Sequence, residues 1–130
     1  VAKNPIQIAE INQRLGEAYF LQGKFEKAEK MFKDTISQLN RLLWSVSNEN
    51  ERLKVKEKIA NDLEWGTACI IFQRKPYKMD DLLDSLRIKL EIFGEYHPEV
   101  ANNYKTLLYC LWYLKNGHKV SITVKMLNAL

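Results

Sequence analysis

The chain is poor in the residues from which metal and catalytic sites are usually built. It holds two histidines, His97 and His118, and two cysteines, Cys69 and Cys110, among 130 residues. No two of them share a short ligand spacing. The histidines fall at opposite ends of one expected helix, which at 1.5 Å per residue keeps them ~24 Å apart. We therefore expect no metal, no cofactor and no catalytic residues. Each cysteine lies inside an apolar helical pattern, which is expected of reduced, buried thiols in a cytoplasmic setting. Proline and glycine are also scarce, at three and five, and no low-complexity tract is present, so disorder is not expected. No apolar run is long enough to span a bilayer, and membrane insertion is not expected. Arginine occurs only at positions 14, 41, 52, 74 and 87 and is not interleaved with aromatics, which argues against nucleic acid as a partner. The start, Val-Ala-Lys, lacks an initiator Met and reads as a domain trimmed from a larger protein.

Acid is missing from one region. Residues 100–130 contain Lys105, Lys115, Lys119 and Lys125 and no Asp or Glu, so the whole net charge of +4 sits there. This reads as a solvated basic face or one that meets an acidic neighbour, and the sequence leaves open a site for an acidic ligand.

What the chain has in quantity is helical periodicity. Apolar residues Ile8, Ile11, Leu15, Ala18 and Tyr19 recur at helix spacing and stop at Gln22-Gly23, where glycine can end a helix in the left-handed conformation. Phe25, Ala28, Met31, Phe32, Ile36, Leu39 and Leu43 describe a second helix directly after it. Ser47-Asn48-Glu49-Asn50 supplies N-cap candidates for a third, from about Glu51 to Phe72, charged in its first half and apolar all round in its second. Arg74-Lys75-Pro76-Tyr77 reads as a turn, Met79 to Phe93 as a fourth helix, Glu99 to Leu114 as a fifth, and about His118 to Leu130 as a sixth. With 46% hydrophobic residues, one domain with a core is expected, all-α, made of three antiparallel hairpins.

The hairpins repeat. Pro5 and Pro98 each open a first helix, and Gly66-Thr67-Ala68 can be laid on Gly16-Glu17-Ala18. Residues 15–36, LGEAYFLQGKFEKAEKMFKDTI, resemble the tetratricopeptide repeat family through Leu15, Gly16, Ala18, Tyr19, Gly23, Phe25, Ala28 and Phe32. The small residues among these would let two helices approach while the aromatics fill the gaps beside them. The stretch LEIFGEYHPEVANNY resembles the junction between repeats of the kinesin light chain type. At that junction Gly94 would end one helix, His97 would stand in an N-cap region, and Pro98 and Glu99 would suit a helix start. A structural role for His97 is thus expected.

This resemblance implies three hairpins, about residues 4–47, 50–94 and 97–130, stacked as a right-handed α-solenoid whose inner wall is made by the first helix of each pair. It implies a module that binds a peptide or helical segment of a protein partner, in a scaffold or adaptor role, and no enzyme. Carried over position by position, the inner face would hold Gln13, Glu17, Phe20 and Leu21, then Leu63, Thr67, Ile70 and Ile71, then Asn103, Thr106, Cys110 and Tyr113. For the apolar members, core packing is the competing expectation. The lysine, asparagine and arginine clamp that some family members use for a C-terminal carboxylate is replaced by Gln13, Glu17, Glu64, Asn103 and Leu107. The asparagine pairs typical of kinesin light chain grooves are replaced by Lys105 and Thr106.

Two other readings come from different classes. The chain could be the helical accessory domain of a larger enzyme such as a SET-type methyltransferase, or a homo-oligomer assembling through an uncapped C-terminal helix at Leu127 and Leu130. Two tempting motifs are set aside. GEAYFLQGK has the wrong spacing for a phosphate-binding loop, with Phe25 where a hydroxyl is required. Asp80, Asp81 and Asp84 open a helix, where they complement its dipole.

Overall fold

The computed structural model describes residues 4–73, 75 and 79–114, without the side chains of residues 109 and 112–114. Five helices follow in order: α1 (Pro5–Leu21), α2 (Phe25–Ser45), α3 (Glu49–Phe72), α4 (Asp80–Phe93) and α5 (Pro98–Leu114). No strand occurs among the described residues. The expected sixth helix, most of the Arg74–Tyr77 turn, His118 and the apolar pair Leu127 and Leu130 lie outside them.

Helix boundaries follow local chemistry. The Asn4 side chain accepts from the Ile6 amide at 2.8 Å, and Asn48 accepts from the Glu51 amide at 3.2 Å, so both asparagines cap the open N–H groups of a first turn. At α5 the same task falls to His97, whose Nδ1 accepts from the Glu99 amide at 3.1 Å while its ring stacks on Phe93 at 4.3 Å between centroids. Gly23 and Gly94 both sit at φ near +80°, at 80° and 78°, which L-residues rarely adopt; Gly94 directly follows α4, and Gly23 follows the Gln22 cap of α1. Arg52 closes the turn before α3 differently. Its guanidinium donates to the carbonyls of Leu43 at 2.6 Å and Val46 at 3.1 Å, tying the end of α2 to the start of α3.

Consecutive helices pack on one another, and α3 also touches both α1 and α5. The core accordingly runs along α3. Val55 and Ile59 join Ala9 and Leu39 in one cluster, Cys69 joins Ala28 and Phe32 in a second, and Ile71 joins Leu82, Leu107 and Cys110 in a third. The two cysteines are therefore buried in different clusters, and burial together with the charge of Glu29 pushes the Cys69 thiol up to about 12.

Between α1 and α2 the close approach rests on Gly16. A Cβ there would stand 2.8 Å from two atoms of the Phe32 ring. Ala28 is fully buried, and Tyr19 packs beside it. Ala18, expected at the same contact, is exposed instead, because its register turns it away from α2. Gly66 also differs from its counterpart in α1. Its nearest neighbour is the Phe32 Cβ at 4.0 Å, so no close approach depends on it.

Candidate functional site

Two clefts flank α3. The first lies between α1 and α3, has a volume of about 330 Å³, and is lined by Glu10, Gln13, Arg14, Glu17 and Lys58. Lys58 donates to Glu10 at 2.7 Å across it, an exposed pair that holds the Glu10 carboxyl below its usual range. One turn beyond Lys58 stands Asp62, fully buried, with neither carboxylate oxygen hydrogen-bonded. Burial pushes its pKa up to about 7; the charge of Lys58 opposes the shift and that of Glu17 adds to it.

The second cleft lies between α3 and α5, with a volume of about 290 Å³ and a lining that includes Glu64, Trp65, Lys89, Glu99, Asn102 and Thr106. Its polar groups form a network. The buried Lys89 ammonium reaches Glu64 at 3.1 Å and Glu99 at 3.4 Å. Glu64 also accepts from Asn103 at 3.1 Å and Thr106 at 2.5 Å. Asn103 donates further to Ser85 at 3.0 Å, and Ser85 donates to the Ala60 carbonyl at 2.6 Å. The network joins α3, α4 and α5, and it leaves one buried acceptor, Asn103 Oδ1, without a donor.

The residues expected on the inner face divide between clefts and core. Gln13, Glu17 and Thr106 line the clefts. Phe20 does not stand alone in a groove: its ring packs edge-on against Phe25, Trp65 and Phe72, with centroids 5.1, 5.2 and 5.3 Å away. Leu63 packs against the Ala9 cluster, and Ile70 is half-buried. Thr67, Ile71, Asn103 and Cys110 are buried, at 2%, 4%, 0% and 2% exposure, so these positions serve the fold and offer no free surface. The Thr67 hydroxyl donates to the Leu63 carbonyl one turn back at 2.9 Å. Leu21 is 81% exposed at the end of α1. The Tyr113 side chain lies outside the described residues.

No protein-family model, curated protein or solved structure matches the chain. The site is therefore read from its own chemistry. Among the described residues no three of His, Cys, Asp and Glu gather as a metal site, and no helix is long and apolar enough to cross a membrane. The nitrogen of His97 that faces the backbone is occupied in capping α5.

Position-by-position reasoning missed Asp62 and Lys89. Both carried a signal. Asp62 occupies the inward register of Val55, Ile59 and Cys69, and Lys89 that of Leu82, Ser85 and Leu86; a charge on a buried stripe needs a partner or stays unsatisfied. A second polar cluster sits away from both clefts. Glu29, 8% exposed, meets Lys33 at 2.8 Å, Lys75 at 3.4 Å and Gln73 at 2.7 Å. Burial raises its pKa, but the hydrogen bonds from Lys33 and Gln73 and the two lysine charges outweigh it and keep the carboxyl below its usual range.

Proposed function

We propose that the chain is a tetratricopeptide-like interaction module whose α1, α3 and α5 together present a groove for a peptide segment of a protein partner. One observation carries this reading: two clefts open on either side of α3, one toward α1 and one toward α5, and they contain polar side chains contributed by first helices of successive hairpins. The contacts of α3 with α1 and α5, in addition to its neighbours in sequence, support a stacked arrangement of the hairpins. The close approach of Gly16 and Phe32 supports the family resemblance in the first hairpin. Trp65 gives the groove an apolar wall, since it lines the α3–α5 cleft while its ring stacks on Phe32 at 5.9 Å. A peptide lying across α3 would meet a rigid aromatic surface flanked by polar groups, a combination suited to binding with orientation.

A displayed peptide library, selected on the intact chain and on variants Gln13→Arg and Asn102→Arg, tests the proposal. Gln13 lines one cleft and Asn102 the other, and neither is buried. Selected peptides should lose binding to one or both variants. Selection of peptides indifferent to both changes would contradict a groove on this face.

A further inference from the structure

We infer that the outer face of α1 is a self-association surface, on which a second copy of this chain docks with its own α1 running antiparallel. The inference stands apart from the groove reading and uses another side of the same helix.

Two apolar stripes run along α1. Ile6, Ala9, Gly16 and Phe20 turn inward: Ala9 and Gly16 are buried, Ile6 packs against the Ala9 cluster, and Phe20 packs against the Phe32 cluster. Ile8, Ile11, Leu15 and Ala18 each stand two positions beyond that inward register, a rotation of ~200° on a helix of 3.6 residues per turn, so they point away from the core. Ile11 is 65% exposed and Leu15 39%, Ala18 is exposed and Ile8 half-buried. This outer stripe is the one that makes α1 amphipathic in the sequence, yet it does not face α2. Apolar residues at helical spacing, left open to water, mark a face that packs on a partner.

Pattern and charge both select a copy of the chain as that partner. The spacings along the outer stripe, three, four and three, read the same from either end. A two-fold axis at the middle of the stripe therefore sets Ile11 against Leu15 of the copy and Ile8 against its Ala18, and every contact occurs twice. The border of the stripe on the α3 side is balanced, with Glu10 and Glu17 against Arg14 and Lys58. Glu10 and Arg14 lie one turn apart on that flank, so an antiparallel copy brings a base and an acid of its own beside them. Glu10 is 51% exposed and accepts from Lys58 through Oε1, which leaves its second oxygen able to accept from an arginine. A strongly acidic or strongly basic partner finds no net charge here to favour it, whereas an identical surface is complementary to itself. The stripe spans ~15 Å at 1.5 Å per residue, a length suited to a weak, reversible dimer of small buried area.

The test is sedimentation velocity of the intact chain from ~10 to ~500 μM, over which a dimer with a dissociation constant of about 100 μM should assemble. Ile11→Arg should stay folded, because the side chain is already mostly exposed, and circular dichroism verifies it. It should weaken association at least about tenfold. Register is read separately, by mixing equal amounts of chains carrying Ile11→Cys and Leu15→Cys and oxidising them in air. The two variants should link chiefly to each other, with Cys69 and Cys110 buried and out of competition. A chain that stays monomeric throughout would mean that a different partner covers α1, and the inference fails. Association untouched by Ile11→Arg would place the contact on another face and overturn it. So would each cysteine variant linking only to its own kind, which is the mark of a parallel pairing.

Discussion

Asp62 and Gly16 show how single residues set limits on this fold. The Asp62 carboxyl is raised from 3.8 to about 7, so between those values the folded chain holds a proton that the unfolded chain releases. Stability contributed by that proton is complete below the unfolded pKa and is lost as pH rises toward the folded one. Glu10 and Glu29 act in the opposite sense, but their pKa values are lowered from 4.5, so their contribution is lost only at acid pH. From about pH 5 to about pH 7 the melting temperature should therefore fall and then level off, and in Asp62→Asn that slope should largely vanish. An unchanged slope would show that Asp62 is not buried as described. Gly16 and Gly66 form a contrasting pair. Gly16→Ala pushes a methyl into the Phe32 ring and should destabilise by about 1–2 kcal/mol in chemical denaturation, the crowding exceeding the gain in helix propensity. Gly66→Ala meets nothing closer than 4.0 Å and should be neutral or stabilise by up to about 1 kcal/mol. The sequence alone aligned these two glycines as equivalent. Periodicity places a residue on a face, but the distance to the facing ring depends on how two helices cross.

The elements were the most legible level. Apolar spacing located the five described helices, and Asn48, Gly23, Gly94 and His97 stand where caps and stops were expected. Much less legible were the links between elements, because a side chain's partner across a helix pair has no fixed offset in sequence. Arg52 is one case, capping carbonyls of the preceding helix. Arg52→Ala should cost about 1–2 kcal/mol with little change in helix content, measured by denaturant midpoint and circular dichroism. Lys89 is another, with its ammonium held between α3 and α5. Lys89→Met keeps most of the volume but leaves Glu64 and Glu99 without their cation, and should cost about 2–3 kcal/mol. A fully stable Lys89→Met protein would mean that the three-helix network is not formed. The buried Thr67, Ile71 and Asn103 teach the same lesson, since positions carried over from a resemblance do not say which side chains a neighbouring helix covers.

At the scale of the whole molecule, α3 is the axis on which the rest depends. It contributes to all three core clusters, and both clefts open beside it. The proposed groove can be tested without a natural partner in hand. The decisive measurement is a map of amide chemical-shift changes across residues 4–114 when the tightest peptide from the displayed library is added. The proposed groove predicts the largest changes at Gln13, Glu17, Trp65, Asn102 and Thr106, on α1, α3 and α5. Changes concentrated on the exposed sides of α2 and α4, with these five amides unmoved, would contradict it.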